Sequence, residues 1–108
     1  MNIIILDLDE ESVYTAIGEV TNFLNKHNDP GLVPIEKICP VSQLLRKQGF
    51  NCSDVSCTGV TINRRSYRIS RNGRLAIKDF DHWVYGREGV EVVLPHIGKT
   101  IHFIEVED

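Results

Sequence analysis

Arginines crowd one short segment of this chain, TINRRSYRISRNGR at residues 61–74. The six basic residues between positions 64 and 78, where no acid occurs, are Arg64, Arg65, Arg68, Arg71, Arg74 and Lys78. The other 93 residues hold 6 basic and 15 acidic side chains, so a chain of net charge −3 has one strongly positive segment. Guanidinium groups donate paired hydrogen bonds to phosphate and carboxylate oxygens. The segment predicts contact with an anion; the alternative is a solvated strand face, or arginines paired with the protein's own acids.

Two carboxylates near the N-terminus form a second pattern that could carry out chemistry. Asp7 and Asp9 lie two apart, so on a strand they point the same way and could share Mg²⁺. In residues 5–11, ILDLDEE, this spacing resembles the strand-end aspartate pair of haloacid dehalogenase-type phosphotransferases. That fold needs a longer chain with further acidic and lysine motifs, and helix capping accounts for Asp9 without a metal. The prediction is no enzyme, no catalytic residue and no cofactor.

The cysteines predict neither a disulfide framework nor a metal site. Cys39, Cys52 and Cys57 are odd in number, which favours reduced thiols. A zinc site requires close pairs such as CxxC, whereas the nearest pair here, in CSDVSC, has four residues between the sulfurs.

The sequence predicts no membrane segment. The longest apolar run, IIIL at residues 3–6, has the length of a strand and is far shorter than the roughly 20 residues of a membrane span. The N-terminus has no basic stretch and no cleavage site of a signal peptide. The expected location is cytoplasmic.

Hydrophobic spacing predicts the elements that position the arginines. Residues 2–8 form an apolar strand, and a helix runs from about 10 to 27 behind Asp9 as N-cap. A second helix covers about residues 41–48, with Gly49 as its stop. The chain then alternates in period two through Val60, Ile62, Tyr67 and Ile69, with a hairpin tip at Asn63-Arg64-Arg65.

The segment after the arginines allows two interpretations. Asn72-Gly73 is a type I′ turn signal, which would make RLAIK a third strand of a meander. Ala76, Ile77, Phe80, Trp83 and Val84, however, lie on one helical face. The longer pattern favours a helix over about residues 73–85.

A terminal hairpin completes the predicted fold. VEVVL at 90–94 and TIHFIEV at 100–106 both have the composition of strands. The predicted order is β-α-α-β-β-α-β-β, a single α+β domain over residues 1–108 with a mostly antiparallel sheet.

Helix, hairpin and helix together resemble the second half of a winged-helix DNA-binding domain. Over about residues 33–85, VSQLLRKQGF matches a recognition helix that ends in Leu-x-x-x-Gly-hydrophobic. Residues 67–73, YRISRNG, are similar to the family's Tyr-x-Leu-Thr-x-x-Gly stretch, with Ile for Leu and Ser for Thr. The resemblance implies that four residues face the major groove, namely Ser42, Gln43, Arg46 and Lys47. It makes Arg64 and Arg65 the tip of the wing.

The sequence therefore predicts a small regulatory protein that binds DNA or another polyanion. The phosphate contacts are assigned to Arg64, Arg65, Arg68, Arg71 and Arg74. The alternative is a non-enzymatic protein–protein module, an adaptor, inhibitor or immunity-type protein, with acidic segments at 7–11 and 105–108 as a second patch. A homodimer through terminal strands is a further expectation.

Overall fold

Residues 2–107, which a computed structural model describes, form a five-stranded sheet and four helices. The strands are β1 (Ile3–Asp7), β2 (Cys52–Val55), β3 (Gly59–Ile62), β4 (Arg65–Ile69) and β5 (Thr100–Glu105). The helices are α1 (Glu10–His27), α2 (Ile35–Ile38), α3 (Pro40–Lys47) and α4 (Arg71–Val84). Single 3-10 turns lie at Pro30–Leu32, Val90–Val92 and Leu94–His96. Asp108 of the predicted acidic terminus lies outside the described residues.

The sheet is antiparallel throughout, in the order β1-β5-β4-β3-β2. The predicted α+β class and antiparallel sheet are confirmed, and so is the helix over residues 10–27, which ends at Asn28 in the left-handed conformation. Gly49, with a φ of 90°, ends α3 as expected, because its N–H donates to the Arg46 carbonyl and Phe50 N–H to the Leu45 carbonyl. A strand at 52–55 that was not predicted extends the hairpin to a three-stranded meander.

The predicted hairpin at the C-terminus is wrong. Residues 90–96 form two 3-10 turns, and only the second strand of the pair exists, as β5. A hairpin would need a free edge on β5, but β1 pairs with one edge and β4 with the other. VEVVL therefore has a strand-like composition and no place in the sheet, and Val93 fills the core instead.

One face of the sheet is covered by helices and the other is open. On β5, the side chains of Ile101 and Phe103 point to one face and are fully buried, whereas those of His102 and Ile104 point to the other face and are exposed. On the covered face, α3 contacts α1, α4 and β2, and α4 contacts β5. The largest fully buried side chains that these elements share are Phe80, Phe103, Leu8, Leu44, Leu45, Ile62, Ile77 and Ile101.

Gly73 fixes the start of α4 against the sheet. A Cβ at this position would lie 2.5 Å from Ile69 Cδ1 and 2.8 Å from Ile101 Cγ2. The neighbouring Asn72 side chain donates to the Thr100 carbonyl, and Ser70 Oγ accepts from the His102 N–H. Asn72-Gly73 is thus part of a helix, as favoured, and both residues serve close contact with β5.

We expect Gly73→Ala to destabilise the protein by about 1–3 kcal/mol, because the new methyl group forces Ile69 and Ile101 to move in a packed core. Helix propensity alone would give the opposite sign. The matched control is Gly18→Ala on α1, where the methyl group meets nothing within 4 Å and should stabilise by about 0.5–1 kcal/mol. Urea unfolding of both variants measures this, and equal effects of the two would contradict it.

Candidate anion-binding surface

Arg64 stands at the exposed tip of the β3–β4 hairpin. Asn63 and Arg64 both have positive φ, 50° and 68°, which is the backbone of a two-residue type I′ turn. The Asn63 side chain holds the turn by accepting from the Asn51 N–H at 3.0 Å. The predicted tip is confirmed, with Arg65 as the first residue of β4 instead of a turn residue.

Arg65 is bound by the protein itself. Its Nη1 donates to both carboxylate oxygens of Glu105, at 3.3 and 3.2 Å. Glu105 also accepts from the Asn2 side chain and is largely buried, whereas Arg65 remains 63% exposed. Arg65 therefore pairs with one of the protein's own acids, which was the alternative to contact with an external anion.

Arg68 lies on the open face of the sheet. In β4, Arg68 lies opposite Ile104 of β5 on one side and Gly59 of β3 on the other, and its side chain is exposed. Because α4 packs on the other face, Arg68 is separated from the arginines of the helix. The basic segment therefore does not form one patch: Arg64, Arg65 and Arg68 belong to the meander, and Arg71, Arg74 and Lys78 belong to α4.

The cations of α4 form a row, which we call the α4 stripe: Arg71, Arg74 and Lys78. Their spacing of three and four residues places them on one exposed side of the helix. Arg74 makes a long hydrogen bond of 3.4 Å to the Ile69 carbonyl. Among the described residues, Arg65 alone of the six clustered cations has a carboxylate partner.

The acids nearest in sequence, Asp79 and Asp81, form no ion pair with the α4 stripe. Asp79 contacts His96 Nε2 at 2.7 Å. Asp81 is half-buried, its Oδ1 has no hydrogen-bond partner in the described part of the chain, and burial raises the pKa of its carboxyl group. Neither neutralises the α4 stripe.

Of the four residues expected to face a major groove, Ser42 is turned into the core, whereas Arg46 and Lys47 are exposed and also bond to the protein. Ser42 is completely buried, and Gln43 donates to the Glu19 carboxylate and the Ile38 carbonyl. Arg46 donates to the Lys37 carbonyl, and Lys47 bridges Asp9 and Glu11 at the start of α1. The cause is the position of α3, which packs between α1 and α4. Ser42 in this position does not reach a base edge.

The cysteines are separate thiols. Cys39 is buried, Cys52 half-buried and Cys57 exposed. Burial raises the pKa of Cys39 to about 12, so this thiol is unreactive at neutral pH. In the described residues, no group of three or more metal-ligating side chains comes together.

Three residues near the end of α4 lie beside the α4 stripe and were not among the predicted site residues. His82 and Tyr85 continue the α4 stripe at four and seven residues beyond Lys78, and Arg87 follows the helix. The signal for them was present in the helical spacing. The apolar side of α4, however, dominates the pattern of this segment.

Comparisons of the chain with protein-family models, with curated proteins and with solved structures found no match. Within residues 2–107, no helix has the length and apolar character needed to cross a membrane.

The contact between α3 and α1 generates a pH prediction. Burial alone would raise the pKa of Asp9, but the hydrogen bond from Lys47 and the Lys47 charge hold this pKa below its usual value of 3.8. A lowered folded-state pKa stabilises the protein above the unfolded pKa, and this contribution is lost as pH falls through the folded value.

Lys47→Ala should therefore lower the free energy of unfolding at neutral pH, and the difference from wild type should vanish in acid, below the folded pKa of Asp9. Lys99→Ala is the control, because this exposed side chain has no carboxylate partner among the described residues. Chemical unfolding across pH 2–7 measures both. A Lys47→Ala defect of constant size over that range would contradict the assignment.

Proposed function

We propose that this chain is a small nucleic-acid-binding protein that contacts phosphates through the unpaired arginines of the basic segment. The observation that carries the proposal is that five of the six clustered cations are exposed and have no carboxylate partner among the described residues. A chain with 15 acidic residues could have neutralised them. Guanidinium groups without a carboxylate partner keep their hydrogen-bond donors available for phosphate oxygens.

The negative net charge does not oppose this function, because association depends on the local field. Lys47 partly neutralises Asp9 and Glu11, and Arg65 partly neutralises Glu105, whereas the other clustered cations of the meander and α4 have no such partner among the described residues. Phosphate contacts position a protein on nucleic acid without reading sequence. The proposal is therefore a non-specific affinity that decreases steeply with salt.

The contact residues differ from those of the winged-helix resemblance. In our proposal α3 does not read bases, because Ser42 is buried and Gln43, Arg46 and Lys47 bind the protein. Arg64 and Arg68 on the meander and the α4 stripe are the phosphate contacts.

The test is a fluorescence-anisotropy titration of labelled nucleic acid at several salt concentrations. We expect Arg71→Ala/Arg74→Ala to weaken binding about tenfold or more and to reduce the salt slope by about 1.8 for duplex DNA, since two phosphate contacts are lost. Arg64→Ala/Arg68→Ala tests the meander in the same way. Each pair is exposed, so folding should be preserved.

Lys26→Ala/Lys37→Ala is the charge-matched control, because it removes two exposed cations from α1 and α2. It should leave affinity close to wild type. Absence of binding at low salt, or an equal loss from all three double variants, would overturn the proposal.

A second candidate function, protein–protein interaction, is favoured by the free edge of β1. Glu105 N–H donates to the Asn2 carbonyl and Leu8 N–H to the Lys99 carbonyl, so the even-numbered residues of this strand bond to β5. The N–H and C=O groups of Ile3, Ile5 and Asp7 consequently face outward. The opposite edge, β2, is blunted by an irregularity between Cys52 and Asp54, whereas β1 has neither a bulge nor a lysine or proline.

We propose a second copy of the chain as the occupant of this edge. Antiparallel pairing about a two-fold axis would set Ile3 opposite Ile5 of the other copy, twice, and would continue the exposed row of Ile104. A strand of five residues is about 17 Å long. It covers much less than the roughly 800 Å² per partner of a stable complex, so the dimer is weak. The other terminal strand, β5, is central and offers no edge.

Light scattering over a concentration series should show the mass rising from monomer toward dimer. Ile5→Lys should abolish the rise, because a lysine on an exposed edge opposes pairing. Leu32→Lys, a change at an equally exposed position outside the sheet, should not. A monomeric mass at every concentration would contradict the dimer.

A further inference from the structure

A cavity of about 410 Å³ opens where the end of α4 meets the loop between β2 and β3. Its lining residues are Cys57, Lys78, Asp81, His82, Tyr85 and Arg87. The volume lies in the roughly 300–1,000 Å³ range of sites for small organic groups. The cavity therefore has room for a group the size of a nucleobase.

The cavity continues the α4 stripe. Lys78 belongs to both, and His82 and Tyr85 follow it on the same side of the helix. Arg87 supplies a second cation at the wall. A strand of phosphates that runs along Arg71, Arg74 and Lys78 thus leads directly to the cavity mouth.

The wall combines the groups that hold an unstacked base. Tyr85 is 50% exposed, and neither aromatic contact among the described residues, Phe23–His27 or Phe80–Trp83, involves its ring. Its face is available for stacking, which tolerates any base because every base has a π face. Asp81 also lines the cavity and forms no ion pair in the described part of the chain, and a carboxylate is a suitable acceptor for the amino group of a base.

We infer that the preferred ligand is single-stranded nucleic acid, with phosphates on the α4 stripe and one base stacked on Tyr85 in the cavity. This rests on the proposed function and names its ligand class. A duplex presents its phosphates but keeps its bases paired and stacked, so it can occupy the stripe and not the cavity.

The experiment compares one labelled sequence of about 12 nucleotides as single strand and as duplex, in DNA and in RNA form. Wild type should bind the single strand more tightly. Tyr85→Leu should weaken single-strand binding by roughly 5- to 150-fold and leave duplex binding unchanged. Tyr85→Phe, which keeps the ring, should bind the single strand like wild type. Circular dichroism verifies that both variants fold.

The Arg71→Ala/Arg74→Ala pair distinguishes a failure of phosphate binding from a failure of the preference for single strands. If this pair weakens both ligands while Tyr85→Leu weakens neither, phosphate binding stands and the single-strand inference is overturned. If the pair has no effect on either ligand, the proposed function fails first. A loss confined to the single strand in Tyr85→Leu, restored in Tyr85→Phe, supports the inference.

Discussion

The close approach of α4 to the sheet at Gly73 is the contact on which the rest of this structure depends. With no side chain there, the first turn of the helix lies directly on Ile69 and Ile101. Ser70 and Asn72 bond to β5 on either side of it, so the end of β4, the start of α4 and β5 are joined at one point. This junction turns the apolar side of α4 inward, and its cations are consequently directed to solvent.

Charge is distributed by the same packing. α3 lies against α1, which brings Lys47 to Asp9 and Glu11, and the pairing of β4 with β5 brings Arg65 to Glu105. These ion pairs engage Lys47 and Arg65, two cations that the sequence predicted to contact nucleic acid. The cations of α4 lie on the exposed side of the helix and have no carboxylate partner among the described residues. The basic surface is thus defined by which arginines the fold leaves unpaired.

Local physical chemistry made several elements predictable. The apolar spacing of Val13, Val20 and Leu24 is sufficient for α1, and Asn28 ends it because asparagine tolerates the left-handed conformation. Asn63 marks the hairpin tip for the same reason. Residues 90–94 could not be assigned in this way, since whether a β-branched run becomes a strand depends on a free sheet edge, and both edges of β5 are occupied.

The sequence by itself determined the α+β class, the boundaries of the long helices, the hairpin tip and the segregation of positive charge into residues 64–78, because periodicity, turn chemistry and charge are properties of neighbouring residues. Only the tertiary structure decided which arginines are unpaired, that Ser42 is buried, and that Tyr85 and Arg87 share a cavity with Cys57. Those outcomes depend on contacts between residues far apart in the chain. Such contacts are set by helix and strand packing, which no local pattern specifies.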